Sequence, residues 1–252
     1  MRHFMGRDRP RLVAKKGKLG RTVTMDEKFQ QFAENIWVAA RPLRFFGIEI
    51  GTRMTVIRLA DGSLFLHSPV ALDAETLMQV QALGPVSAIV APNRLHHLFL
   101  GDYCKVFPKA KVYAAPGLET KRKDLPFTGV LQEHPEPAWL GQIDQQLVPD
   151  LPIIHEVDFF HRVSRTLLLT DLAFNLGTGY PYWTRLVSRL FRIDNQFGPT
   201  PDLKYFIKRR PRAQVAIQKM LAWDFDRIIL AHGNLIARDG KAWFKKAFGP
   251  LL

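Results

Sequence analysis

Three apolar runs in this sequence end on residue types that bind divalent metal ions. His96 and His97 follow SAIVAP, Asp171 follows RTLLLT, and His232 follows RIILA. Imidazole nitrogen and carboxylate oxygen suit Zn, Fe or Mn, ions that take roughly four to six such ligands. An ion of this kind lowers the pKa of water and makes it a nucleophile for hydrolysis. The chain has one cysteine, Cys104, which leaves no intrachain disulfide and no cysteine-rich zinc module. Any metal must therefore sit on His, Asp or Glu. A histidine at a strand end also serves as an ordinary hydrogen-bonded residue, so the same residues suit a metal-free protein.

The runs that must position these side chains alternate with helical patterns. TRMTVIRL (52–59) and LFLHS (64–68) flank Asp61-Gly62, a pair that favours a hairpin. Residues 73–84 form a helix capped by Asp73 and ended by Gly84. Strands are predicted over 86–92, 110–116, 155–162, 165–174 and 225–233, and helices within 93–108, over 212–224 from Pro211, and over 239–248. Residues 117–152 read as loops with one short helix, and 177–210 as an aromatic, basic stretch whose helical parts cover one face. Short apolar strands after helices imply α/β layering, with two sheet-forming halves and helices outside. In such folds the loops at strand ends converge into sites.

The ordered runs SAIVAPNRLHHLF, EVDFFHRVSRTLLLTDLAF and FDRIILAHGN resemble the metallo-β-lactamase-like superfamily, in a divergent branch without an assigned function. The resemblance spans about residues 30–240. It implies a four-layer alpha-beta/beta-alpha sandwich holding one or two Zn, Fe or Mn ions. It implies metal ligands at His96, His97, Asp171 and His232, with His96 and Asp171 also catalytic. The superfamily's His-x-His-x-Asp-His run falls on Pro92 to His97: His97 is kept, His96 replaces the aspartate, and Pro92 and Arg94 replace two histidines. The next landmark histidine falls on Pro152, with His155 three residues away, and a supporting aspartate falls on His67. Around the site the resemblance places Arg94, Glu156, Asp158, His155, His161 and His67. Arg94 either bridges to Asp171 or Asp158 inside the emptied metal space or clamps an anionic substrate at the rim. Glu156, Asp158 or His161 would hold a ligand's second nitrogen or move a proton. His67 is expected to brace a loop by hydrogen bonding, and His161 is otherwise expected in solvent.

Three functions fit: a hydrolase with a rewired metal site acting on an unknown, anionic small molecule; a metal-free binding or structural protein; and a nucleic-acid binding or processing protein. The chain of 252 residues is 47% hydrophobic and 23% charged, ordinary globular values. Its formal charge is +13, and residues 1–24 hold eight Lys or Arg against one Asp. That stretch reads as a flexible basic tail before a single domain over 25–252. It lacks the apolar core of a secretory signal. No run of about 18 apolar residues suggests a membrane span. A cytoplasmic protein is expected, with organelle targeting by the basic segment as the alternative. Arg185, Arg189 and Arg192 fall at helical spacing among aromatic residues. Such a face suits nucleic acid, an anionic membrane surface, or plain solvent over a packed aromatic core. Neither GxxxxGK nor GxGxxG occurs, so no nucleotide cofactor is indicated.

Overall fold

The computed structural model describes residues 29–45, 47–152, 154–177 and 179–252. The basic tail expected over 1–24 lies outside them. The chain opens with β1 (Gln30–Ala33), β2 (Ile36–Arg41), a small hairpin of β3 (Arg44–Phe45) and β4 (Ile48–Glu49), then β5 (Thr52–Arg58) and β6 (Leu64–His67). Helix α1 (Ala74–Leu83) leads to β7 (Val86–Ala91), α2 (Leu100–Val106) to β8 (Lys111–Ala114), and α3 (Leu118–Lys121) to β9 (Gly129–Val130). These strands form a seven-stranded sheet in the order β1-β2-β5-β6-β7-β8-β9, with β3 and β4 paired separately. Next come β10 (Ile143–Val148), β11 (Glu156–His161) and β12 (Thr166–Leu169). Helices α4 (Tyr182–Leu190), α5 (Pro201–Ile207) and α6 (Pro211–Ala222) follow, then β13 (Arg227–Leu230) and α7 (Gly240–Phe248). The second sheet has the order β10-β11-β12-β13.

Period-two alternation builds the layers. Phe65, Ala88 and Val90 from the first sheet meet Val157, Phe159, Leu168 and Ile229 from the second in one buried core. The opposite faces carry Leu64, Leu66, Ile89 and Ala91, packed with Val80 and Leu100 of α1 and α2. On the far side Phe160, Leu167, Leu169, Ile228 and Leu230 pack against α5, α6 and α7. The result is the expected four-layer alpha-beta/beta-alpha sandwich. Strands β6, β7 and β8 are parallel, as are β12 and β13, so their carboxyl ends gather at one edge.

Local chemistry fixes several boundaries. Asp73 accepts from Thr76 N at 2.7 Å and starts α1. Pro211 occupies the first turn of α6, where its missing N–H costs nothing. Strand β10 corrects the loop expected over 117–152. Its IDQQLV sequence is too polar to read as apolar, yet Gln145 is buried because its amide donates to Gln132 O and His134 O at 2.8 Å. Its Oε1 accepts from Trp139 Nε1 at 3.1 Å. Among the described residues no helix is long and apolar enough to cross a membrane.

Candidate metal centre

The site forms where β7, β12 and β13 end. Asn93, the second residue after β7, is fully buried. Its Oδ1 accepts from Leu95 N at 2.8 Å and His96 N at 2.9 Å, which folds the chain back so that His96 faces the second sheet. Its amide nitrogen lies 2.7 Å from Asp171 Oδ2, 2.9 Å from Thr170 Oγ1 and 3.0 Å from Glu156 Oε2. Glu156 in turn accepts from the backbone N–H groups of Thr170 at 2.8 Å, Asp171 at 2.7 Å and Leu172 at 3.2 Å. A buried carboxylate requires such partners, and these hold the turn that presents Asp171. Sequence reasoning missed Asn93. Its only local signal was an Asn directly after an apolar strand.

His96 Nε2 lies 3.3 Å from Asp171 Oδ2, His232 Nε2 lies 3.3 Å from Asp171 Oδ1, and the two Nε2 atoms are 3.2 Å apart. One ligand atom from each residue lies within 4.8 Å of the others. His232 Nδ1 donates to Gly51 O at 2.6 Å, which turns its Nε2 toward the group. His96 Nδ1 is 2.7 Å from Ser68 Oγ, whose left-handed φ of 55° ends β6. Phe174 stacks on the His232 ring at 5.6 Å. Arg53 donates to Leu230 O and, at 3.0 Å, to Gly233 O, bracing the end of β13. Gly233 has φ +100°, and a Cβ there would collide with the backbone of Asn175. Burial opposes charge on His96, but the Asp171 carboxylate beside it prevails and raises its pKa. Burial would likewise raise the Asp171 carboxyl, and the two histidines reverse that and lower it.

The remaining expected site residues are not in this group, although His97 lines the cavity beside it. His97 turns away from the group, and its Nδ1 accepts from Arg122 Nη1 at 2.8 Å. Its pKa falls to about 4 through burial, with Lys121 and Arg122 adding to the effect. Arg94 does not fill the metal space. Its guanidinium lies over Gly117, and the side chains that face the Asp171 carboxylate are those of Asn93, His96 and His232. His155 has φ 42° in the turn before β11 and is not in the group. Asp158 shares a strand face with Glu156 but is buried without a hydrogen-bond partner, so it holds no histidine. His161, expected in solvent, is buried and bonds Ser164 Oγ at 2.8 Å. It sits at the opposite end of β11, about 17 Å along the strand from Glu156, too far to serve the site. His67 packs its ring on Phe159 at 5.4 Å, and its buried Nε2 has no hydrogen-bond partner. Ser68 and Gly51 hold the second nitrogens instead.

A cavity of about 280 Å³ opens over His96, Asp171 and His232. Its walls are largely apolar, with Leu43, Phe45, Ile50, Pro69 and Leu98, and Lys121 supplies a cation.

Solved structures share this architecture. The mono-zinc form of FIM-1 metallo-β-lactamase from Pseudomonas aeruginosa matches with a TM-score of 0.58 at 12% identity, over 88% of this chain and 95% of that one. A metallo-β-lactamase from Pontibacter korlensis gives 0.59 at 11% identity, over 86% and 96%. The metal-soaked Flv1 flavodiiron core from Synechocystis sp. PCC6803 gives 0.61 at 13% identity, over 91% and 61%. The fold is thus that of the metallo-β-lactamases, with three residues gathered as a candidate set of metal ligands. Within it, the chain belongs to the family described as a domain of unknown function, DUF4336, whose model matches residues 33–197. No curated protein matches the sequence.

Proposed function

We propose that the chain is a metal-dependent hydrolase with one divalent ion held by His96, Asp171 and His232. The observation that carries this reading is the convergence of two Nε2 atoms and a carboxylate, with each ring tied at Nδ1 by Ser68 or Gly51. That donor set fits a small divalent ion that keeps open positions. What such an ion supplies when bound is Lewis acidity, which makes water nucleophilic near neutral pH. The chain's own residues do the rest. Asn93 and Glu156 orient Asp171, the apolar walls of the cavity exclude bulk water, and Lys121 attracts an anionic group on a small-molecule substrate.

A second reading has its own support. The three side chains lie at hydrogen-bonding distance from one another, so a proton on His96, shared with Asp171 and His232, would satisfy the group without metal. Elemental analysis separates the two. Protein purified without added metal should carry about one equivalent of Zn, Fe or Mn per chain, lost in Asp171→Ala. No bound metal, even after supplementation, would sink the hydrolase reading and leave a binding protein.

A further inference from the structure

Helix α4 is packed inside out. Its buried residues are Thr184 and Ser188, each 1% exposed. Thr184 Oγ1 donates to Glu49 O at 3.0 Å and accepts from Glu49 N at 3.2 Å, and Ser188 donates to Thr184 O at 2.6 Å. The outward residues are large and apolar: Trp183 is 70% exposed and Leu190 79%, with Tyr182, Leu186 and Phe191 also exposed. Over α4 this reverses the packed aromatic core expected under a solvated basic face, whereas Tyr180 and Phe197 on either side are buried as expected. Leaving such a stripe in water is unfavourable, and a contiguous apolar patch marks a contact surface.

The charges around the stripe identify the contact. No Asp or Glu occurs from 177 to 193, whereas Arg185, Arg189 and Arg192 do. Arg185 and Arg189 lie 3.5 and 3.0 Å from Asp194, and exposed Arg192 and Arg44 have no ion-pair partner among the described residues. Rings at both ends, leucines between them and arginines at the edges match the headgroup layer of an anionic bilayer. Nucleic acid fits less well, because Leu186 and Leu190 cannot stack on bases and would stay in water beside it. A second copy would set arginine against arginine in a chain of formal charge +13. Residues 1–24, with eight Lys or Arg and one Asp, suffer the same repulsion as a cover.

We propose that α4 and the adjoining β3–β4 hairpin dock the protein onto the surface of an anionic lipid bilayer. The hairpin also gives Phe45 to the cavity wall, so docking would set the cavity beside the lipid. The proposal does not depend on a bound metal.

Sedimentation of the full chain with vesicles tests it. Vesicles of equal parts phosphatidylcholine and phosphatidylglycerol should retain the protein, and phosphatidylcholine alone should retain much less. The charge-neutral double variant Leu186→Ser with Leu190→Ser should bind roughly tenfold more weakly. Trp183→Gln should weaken binding as well. Unchanged thermal unfolding shows that these variants fold. Wild-type protein that fails to sediment with the mixed vesicles overturns the proposal. So does a double variant that binds as well as wild type, since the basic residues 1–24 would then carry the binding. Dimers in sedimentation velocity that the double variant disperses, without vesicle binding, would assign the face to a second copy and overturn it too.

Discussion

His96 Nε2 and His232 Nε2 are 3.2 Å apart although their residues are separated by most of the chain. One ring arrives from the loop after β7 in the first sheet, the other from the end of β13 in the second. The fold's two halves therefore meet at this pair, and Asp171 sits between them with one oxygen toward each. That relation divides the four residues expected as ligands into three that converge and one, His97, that does not.

His232→Ala should therefore abolish stoichiometric metal binding, whereas His97→Ala should retain it. Ser68→Ala, which frees the Nδ1 of His96, should weaken affinity by roughly 10–100-fold while leaving the fold intact. Competition with a chromogenic chelator measures all three. Equal losses in the His97 and His232 variants would contradict the arrangement.

Asn93 should be among the costliest polar residues to remove. Truncation to Ala strips partners from the buried Asp171 and Glu156 oxygens and from the N–H groups of Leu95 and His96. Leaving such groups unpaired costs about 1–3 kcal/mol each before relaxation. We expect a loss of about 3 kcal/mol or more in urea unfolding, with the midpoint rather than the slope moving.

Gly233→Ala should disturb both fold and site. The backbone there is left-handed, and the added methyl would strike the backbone of Asn175. Strain of this kind costs about 1–3 kcal/mol, and relief would displace His232. A lower melting temperature should accompany weaker metal binding. A variant with normal stability and normal affinity would show that the two segments can separate freely.

The ends of the apolar runs were legible in the sequence because parallel strands deliver their last residues to one edge. Asp171 and His232 could be read for that reason, and so could His96. Asn93 could not, because its partners Glu156, Thr170 and Asp171 are 63 to 78 residues away. β10 escaped because burial of Gln145 depends on carbonyls in a preceding loop. Arg192 was expected on one helical face with Arg185 and Arg189, but α4 ends at Leu190 and Arg192 adopts φ 54° beyond it. Which side of α4 faces inward was set by Glu49, on a hairpin too short to read.

His161 should make the protein acid-sensitive far from the site. Burial lowers its pKa from 6.5 to about 4. Between those values the unfolded chain binds the proton and the folded chain does not, so stability rises with pH there and is lost as pH falls. The slope should reach up to ~1.4 kcal/mol per pH unit. His67, lowered to about 3 by burial and the charge of His96, acts in the same direction. His161→Gln should flatten the acid limb of a plot of urea midpoint against pH. An unchanged limb would exclude His161 as its source.

Asp158 should work the other way. Both its oxygens are buried without a hydrogen-bond partner, on the strand face that also carries Phe160. Burial, reinforced by the negative charge of Glu156 two residues away, raises its pKa well above 3.8. The folded carboxyl therefore keeps a proton that the unfolded chain releases, and stability falls as pH rises above 3.8 until the folded group ionises. Asp158→Asn cannot ionise in either state, so it removes that slope and leaves the two histidines unopposed. The variant's stability relative to wild type should increase with pH from about 4, by up to ~1.4 kcal/mol per unit. Urea unfolding at a series of pH values reads this difference directly. A difference that stays constant with pH would mean that Asp158 is ionised in the folded protein and has a partner there.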